Sequence, residues 1–272
     1  MLVYYSKTLH SPMYFFLSQL SVSDIMLTTD IAPNILHIAL HERTPISFSD
    51  CIAQYYVFGS TEAFECYLLT VMSYDRYLAI CSPLHYTSIM KQTLCIKIVL
   101  ASWIFSCFMA SISTFAISQL EFCGPNAIDY LYCDLNPLVG LSCSDTSRIQ
   151  IEASLLCIPV LILPFLVIVV SYTYIVLTLL KIPSLSGKQK CFSTCSSHLT
   201  VVFIYYGTLL AAYLIPKKGQ SRTISKILPL LFTVFTPFIN PFIYSLRNKD
   251  IKDSLKILYR KKSNFHSKHL VK

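Results

Sequence analysis

Charge is scarce in this chain. Only 13% of its 272 residues are Asp, Glu, Lys or Arg, about half the ~25% of an ordinary soluble domain. Glycine is scarcer still, at six residues. No internal repeat is visible either, so the paired, Gly-broken helices by which transporters are read from sequence are missing. No Gly-x-Ser-x-Gly, phosphate loop or His-Glu-x-x-His occurs, so serine, histidine and acid residues are not placed for enzyme chemistry. The chain is read as a non-enzyme with no catalytic residues. Asn34, Asn126, Asn136, Asn240, Asn248 and Asn264 all fail the Asn-x-Ser/Thr pattern, and no cleavable signal peptide is visible. Cysteine spacings near ten residues without a histidine cluster do not suit a zinc site, so no structural metal is expected.

Hydrophobic residues make up 54% of the chain, gathered in blocks near the ~20 residues that cross a bilayer as a helix. Six blocks are read, at 13–36, 52–74, 94–117, 153–180, 199–215 and 227–246. A spanning segment must satisfy its own backbone hydrogen bonds, so the fold class is all-α, a polytopic membrane helical bundle. A soluble protein with buried core helices would not show six blocks so poor in internal charge. The net charge of +8 invites a nucleic-acid partner, but its distribution argues against one. With the Asp75-Arg76-Tyr77 end placed inside the cell, 16 of the 22 basic residues are cytoplasmic, the bias of an oriented membrane protein. Between Lys249 and Lys262, Ile251, Leu255 and Leu258 recur at helical spacing among lysines. That pattern suits an amphipathic helix on the inner leaflet, or equally a solvated basic tail.

Four segments carry a more specific signal. They are SPMYFFLSQLSVSD from Ser11, SYDRYLAICSPLHY from Ser73, KCFSTCSSHL from Lys190 and PFINPFIYSLRN from Pro237, and they span roughly nine-tenths of the chain. Together they closely resemble the olfactory receptors, a branch of the rhodopsin-like G-protein-coupled receptors. Departures from the family's wording are mild: Ser73 and Cys191 stand where alanine is usual, and Leu78 where valine is. The resemblance implies a single receptor domain over 1–272 with helices two to seven, most of helix one missing, and an N-terminal truncation. Its approximate helices are 13–36, 48–80, 94–117, 150–180, 189–215 and 224–247, with an outer loop at 118–149 and a basic cytoplasmic tail at 248–272. It implies an odorant receptor of the plasma membrane, in the sensory cilia of olfactory neurons. Its partners would be a small volatile odorant, the lipid bilayer and a stimulatory heterotrimeric G protein that raises cAMP. The alternative is a truncated, non-signalling product.

Cys51, Cys123, Cys133 and Cys143 lie on the oxidising side, where disulfides persist, and four cysteines allow three pairings. The resemblance selects Cys51 with Cys133 and Cys123 with Cys143. Cys66, Cys81, Cys95, Cys107, Cys157, Cys191 and Cys195, in or beside helices, read as small buried residues.

Asp24, Glu62 and Glu65 each fall inside an apolar block, and intramembrane acids usually face the bundle interior and carry function. Glu62 and Glu65, three apart, share one helix face. By resemblance, Asp24, Glu65 and Asn240 form a polar centre that holds sodium or water; no other cofactor is implied. Glu62 lies one turn farther out, on the ligand face, where it sets odorant polarity. The resemblance makes Arg76 the switch, held by Asp75 at rest and released toward the G protein, beside Tyr77. Tyr172 and Tyr244 would swing to meet it. Lys190, Ser193, Thr194, Ser196, Ser197 and His198 would form the polar inner end of the moving helix, with His198 in the resting lock. Pro241 breaks its own helix ladder and gives a hinge. Resemblance and helix periodicity together place Phe58, Gly59, Glu62, Ala63, Leu156, Cys157, Val160, Tyr206, Leu209, Leu210, Tyr213 and Thr233 around the ligand. That mix suits a small, largely apolar molecule with one hydrogen-bonding group.

Overall fold

The computed structural model describes residues 11–41, 46–123, 131–214 and 230–247. The first ten residues and the tail from 248 lie outside them, as do the side chains of Lys190, Ser193, Thr194 and Tyr213. In chain order the helices are α1 (Pro12–His41), α2 (Phe48–Cys81), the short α3 (Pro83–Ile89), α4 (Gln92–Ser118), the short α5 (Leu135–Leu141), α6 (Ser147–Cys157), α7 (Leu163–Lys181), α8 (Leu185–Leu214) and α9 (Thr236–Arg247). Among the described residues the only extended pairing is a single bridge between Phe122 and Ser142. The architecture is an all-α bundle.

Local chemistry sets the boundaries. The Ser47 side chain caps α2 by accepting from the Asp50 N–H at 3.1 Å, and Asp50 in the first turn complements the helix dipole. Pro83 at the start of α3 disfavours helical backbone at the residue before it, and Ser82 has left the helix with φ −138° and ψ 55°. The Asp134 side chain caps α5 through the Leu135 N–H at 2.8 Å. α6 and α7 are continuous through a π-helical turn at Ile158–Ile162, which accommodates Pro159 and Pro164. Prolines leave carbonyls without their usual N–H donors. Two carbonyls of this proline-bearing segment accept from α2: Tyr67 Oη donates to the Pro159 carbonyl at 3.2 Å, and Thr70 Oγ1 to the Pro164 carbonyl at 3.3 Å. A second π turn, Leu231–Phe235, leads into α9.

α2 is the central post, packed against α1, α4, α7 and α8. One apolar core runs down it, with Phe16, Phe64, Leu68, Met72, Ile175 and Val201 among its fully buried side chains. Trp103 of α4 stacks on Phe64 with ring centroids 3.9 Å apart. A smaller outer core surrounds Cys51 and Cys133, with Tyr55, Ile117, Leu138 and Ile149. The outside is also apolar. Leu100, Ile104, Phe108 and Phe115 of α4, and Leu166, Val170, Leu177 and Leu180 of α7, are exposed. A soluble monomer rarely leaves such a surface uncovered; a bilayer covers it.

By length and apolarity, Gln92–Ser118 and Ser147–Lys181 each suffice to cross a membrane, and Cys195–Ala211 is a shorter apolar stretch. The sequence blocks on α1 and α2 are less apolar for a physical reason. They carry Ser23, Asp24, Thr61, Glu65, Ser73 and Asp75 at buried positions facing other helices. Polarity turned inward lowers a helix's average hydrophobicity without exposing polar groups to lipid.

The disulfide Cys51–Cys133 joins residues 82 apart, and closing a loop of that length constrains the unfolded chain by about 4 kcal/mol. Cys51→Ser should lower the melting temperature of the detergent-solubilised chain, and Cys51→Ser/Cys133→Ser should lower it no further. A double variant clearly less stable than the single would show that the two thiols stabilise separately.

Candidate functional site

The inner end of α2 holds an ion pair between Asp75 and Arg76, the only one among the described residues. The Asp75 carboxylate is wholly buried. It accepts from Arg76 Nε at 3.0 Å and, on its other oxygen, from Tyr86 Oη of α3 at 2.8 Å. Burial, reinforced by the Asp75 charge, pushes the Tyr86 phenol above its ordinary pKa, so it remains a donor at physiological pH. Tyr77 packs edge-on to Tyr174 of α7 at 5.9 Å.

Nearly two turns farther out along α2, α8 meets α2 and α7 through His198, which is fully buried. Its Nε2 lies 3.2 Å from the Leu69 carbonyl and its Nδ1 2.6 Å from Tyr172 Oη. A carbonyl only accepts, so Nε2 carries the proton; in the neutral ring Nδ1 then accepts from the Tyr172 hydroxyl. Three helices are thus pinned through one imidazole. Tyr244 of α9 is 7% exposed, and its hydroxyl is buried without a hydrogen-bond partner. Pro241 sits inside α9.

The middle of the bundle holds two buried carboxyl groups. Asn240 Nδ2 donates to Asp24 Oδ1 at 3.1 Å and to Oδ2 at 3.3 Å, tying α9 to α1. Ser23 Oγ donates to Glu65 Oε1 at 3.1 Å, tying α1 to α2. Among the described residues no group of three acid, histidine or cysteine side chains is gathered as for a tightly held metal. The Glu65 side chain meets α1, and the Glu62 backbone carbonyl accepts from Tyr205 of α8 at 3.0 Å.

Above this level the sequence-nominated pocket residues separate. Phe58, Ala63, Tyr206, Leu209 and Thr233 are buried between helices, and Glu62, Leu156 and Val160 are half-buried. Phe58 lies under Tyr132 of the outer loop at 5.2 Å between rings, and Tyr206 packs on Phe165 at 4.8 Å. The Tyr206 hydroxyl is buried without a hydrogen-bond partner. Gly59 faces α4 instead, where a Cβ would stand 3.8 Å from that of Ala110. Cys157 is exposed, and Leu210 is 44% exposed; it lies about 120° around α8 from His198 at 100° per residue, off the interior face.

The outer loop is fastened over this region. Disulfides join Cys51 to Cys133 and Cys123 to Cys143. Gln54 of α2 bridges the loop to α1, its Oε1 accepting from the Cys133 N–H at 2.9 Å and its Nε2 donating to the Asp30 carbonyl at 2.9 Å. Exposed Asp145 has a lowered pKa because Ser147 donates to it through both hydroxyl and N–H.

Gln54, Ser23, Tyr86 and Tyr205 were not nominated from the sequence. Polar residues of these types are frequent in apolar blocks, and only the facing helix shows what they hold. Tyr86 alone had a local signal, since it closes the same segment that contains Asp75 and Arg76.

The olfactory receptor family model matches residues 1–262. The chain is 42% identical over 265 residues to "Olfactory receptor 1468" of Rattus norvegicus, covering 97% of this chain and 84% of that one. It is 46% identical over 248 residues to "Olfactory receptor 6N1" of Homo sapiens, covering 91% and 80%. The same identity and coverage hold for "Olfactory receptor 5P55" of Mus musculus.

Removing Asn240 leaves the buried Asp24 carboxyl without its donor, a loss of about 1–3 kcal/mol. Asn240→Ala should therefore lower the melting temperature in detergent, and Asp24→Asn should lower it less. Equal melting temperatures for Asn240→Ala and the unaltered chain would mean that Asp24 finds another donor.

Proposed function

The chain belongs to the olfactory receptor family, and from that premise we propose that it binds a small volatile ligand inside the bundle and activates a stimulatory heterotrimeric G protein, raising cAMP. Its relatives make it a multi-pass receptor of the plasma membrane rather than an enzyme; sensory cilia are the site we infer for it. The alternative of a non-signalling product draws no support from these relatives.

The observation that carries the proposal is the His198 junction with Tyr172 and the Leu69 carbonyl, set nearly two turns of α2 from the Asp75–Arg76 pair. At rest, His198 holds the inner end of α8 against α2, and Arg76 is occupied by Asp75. Opening a cytoplasmic cleft requires α8 to leave α2, which breaks the His198 contact to Leu69 and frees the Tyr172 hydroxyl. Tyr172 and Tyr244 can then turn toward Arg76, with Pro241 as the hinge of α9. Ligand acts by population shift: it favours signalling only as far as it binds the open arrangement better than the closed one.

Phe58, Glu62, Ala63, Leu156, Val160, Tyr206, Leu209 and Thr233 are the ligand contacts we favour. Burial in an apolar setting with few polar groups supports them. Glu62 sets the polarity of the ligand's one hydrogen-bonding group. The Asp24, Glu65 and Asn240 centre accepts a sodium ion or water between its two carboxyl groups at rest, since the pair has no cationic side chain among its hydrogen-bond partners.

Arg76→Ala should abolish cAMP production in cells supplied with the stimulatory olfactory G protein, while surface labelling stays within about twofold of the unaltered chain. Unchanged cAMP at equal surface level would remove Arg76 from the switch.

A further inference from the structure

Two tyrosines follow one another on α8, and the one that sequence reasoning passed over is the better connected. Tyr205 is 2% exposed. Its hydroxyl donates to the Glu62 backbone carbonyl at 3.0 Å and lies 3.3 Å from Cys66 Sγ, whose S–H is then free to donate to it. Cys66, at first sight a small filler, is a partner in this junction and is 1% exposed.

Tyr205 and His198 are seven residues apart, about two turns, so they lie on one face of α8 and about 10 Å apart along it. Their acceptors on α2, the carbonyls of Glu62 and Leu69, are also seven residues apart. The two helices are therefore bolted at two matching levels. A rotation of α8 that lifts His198 from Leu69 carries Tyr205 away from Glu62 and Cys66 as well. The outer bolt sits on the turn that bears Glu62 and Ala63, so a molecule wedged against that turn strains it first.

We propose that the Tyr205 hydroxyl, held by the Glu62 carbonyl and Cys66, is a second restraint on the resting bundle and the point where ligand contact on α2 reaches the moving helix α8. Tyr205 is in this sense a positioning residue. The inference rests on the reading of the chain as a G-protein-activating receptor, with His198 as its inner restraint.

Basal cAMP, read without any odorant in cells carrying the stimulatory olfactory G protein and normalised to surface-labelled receptor, tests it. Tyr205→Phe removes one hydroxyl and leaves the ring, so basal cAMP should rise about five-fold, the weight of one ordinary hydrogen bond. Cys66→Ala should raise it as well, and Cys66→Ser, which restores a donor, should raise it less than Cys66→Ala. A merely structural role for the hydroxyl would lower surface level and melting temperature without raising the signal per receptor. His198→Ala serves as the control for the underlying reading. A rise with His198→Ala but none with Tyr205→Phe overturns the second restraint and leaves the receptor reading intact. No rise with either variant overturns both.

Discussion

A polar group buried in this bundle is costly unless it finds its partner in the protein, because lipid and packed core supply little water. Most such groups among the described residues do; the hydroxyls of Tyr206 and Tyr244 are exceptions. That constraint fixes where the helices can sit. α2 donates through Tyr67 and Thr70 to the Pro159 and Pro164 carbonyls at the π turn and the start of α7 and offers its own carbonyls at Glu62 and Leu69 to α8. It also receives Ser23 of α1 at Glu65. Apolar packing of Phe64 on Trp103 supplies bulk attraction, but it is indifferent to small slides of one helix past another. Hydrogen bonds between defined atoms are not, so they select the register.

The same bonds suit the bundle to the switching proposed for it. A contact such as Tyr172–His198 is strong in one arrangement and absent a few ångströms away, which gives two discrete packings rather than a continuous drift. The prolines add local freedom: the π turn before Leu163 and Pro241 within α9 are places where the backbone ladder is already interrupted. Asp75, held by Arg76 and Tyr86 together, ties α2 to α3. One buried carboxylate thereby joins the proposed switch to the short helix beside it.

Much of the architecture was legible in the sequence. Apolar blocks of membrane length, the inward bias of basic residues and four ordered motifs led to an all-α receptor bundle, and the family comparison agrees. Asp24, Glu62 and Glu65 stood out because polar groups in apolar runs are costly to bury, and His198 and Asn240 because they stand in motifs that resemble the family's. Tyr205, Gln54 and Ser23 did not, since a tyrosine, glutamine or serine in such a run has many innocuous fates and its partner lies on another helix. Periodicity also blurred at the edges of the interior face. Leu209 and Leu210 were nominated together, yet the 100° step between consecutive residues separates one buried side chain from one exposed. Gly59 was nominated for the ligand and faces Ala110 instead, because the family register shows which turn points inward but not which neighbour fills it.

The account stands or falls on whether α8 leaves α2 at its inner end when the G protein engages. Phe192 on α8 is 62% exposed and Lys97 on α4 is exposed, so each position can be replaced by a fluorescent amino acid without disturbing the core. The distance between them should be measured by energy transfer in lipid nanodiscs, with and without nucleotide-free stimulatory G protein. A longer distance with the G protein bound is the predicted result. An unchanged distance, under conditions where the G protein demonstrably binds, would contradict it.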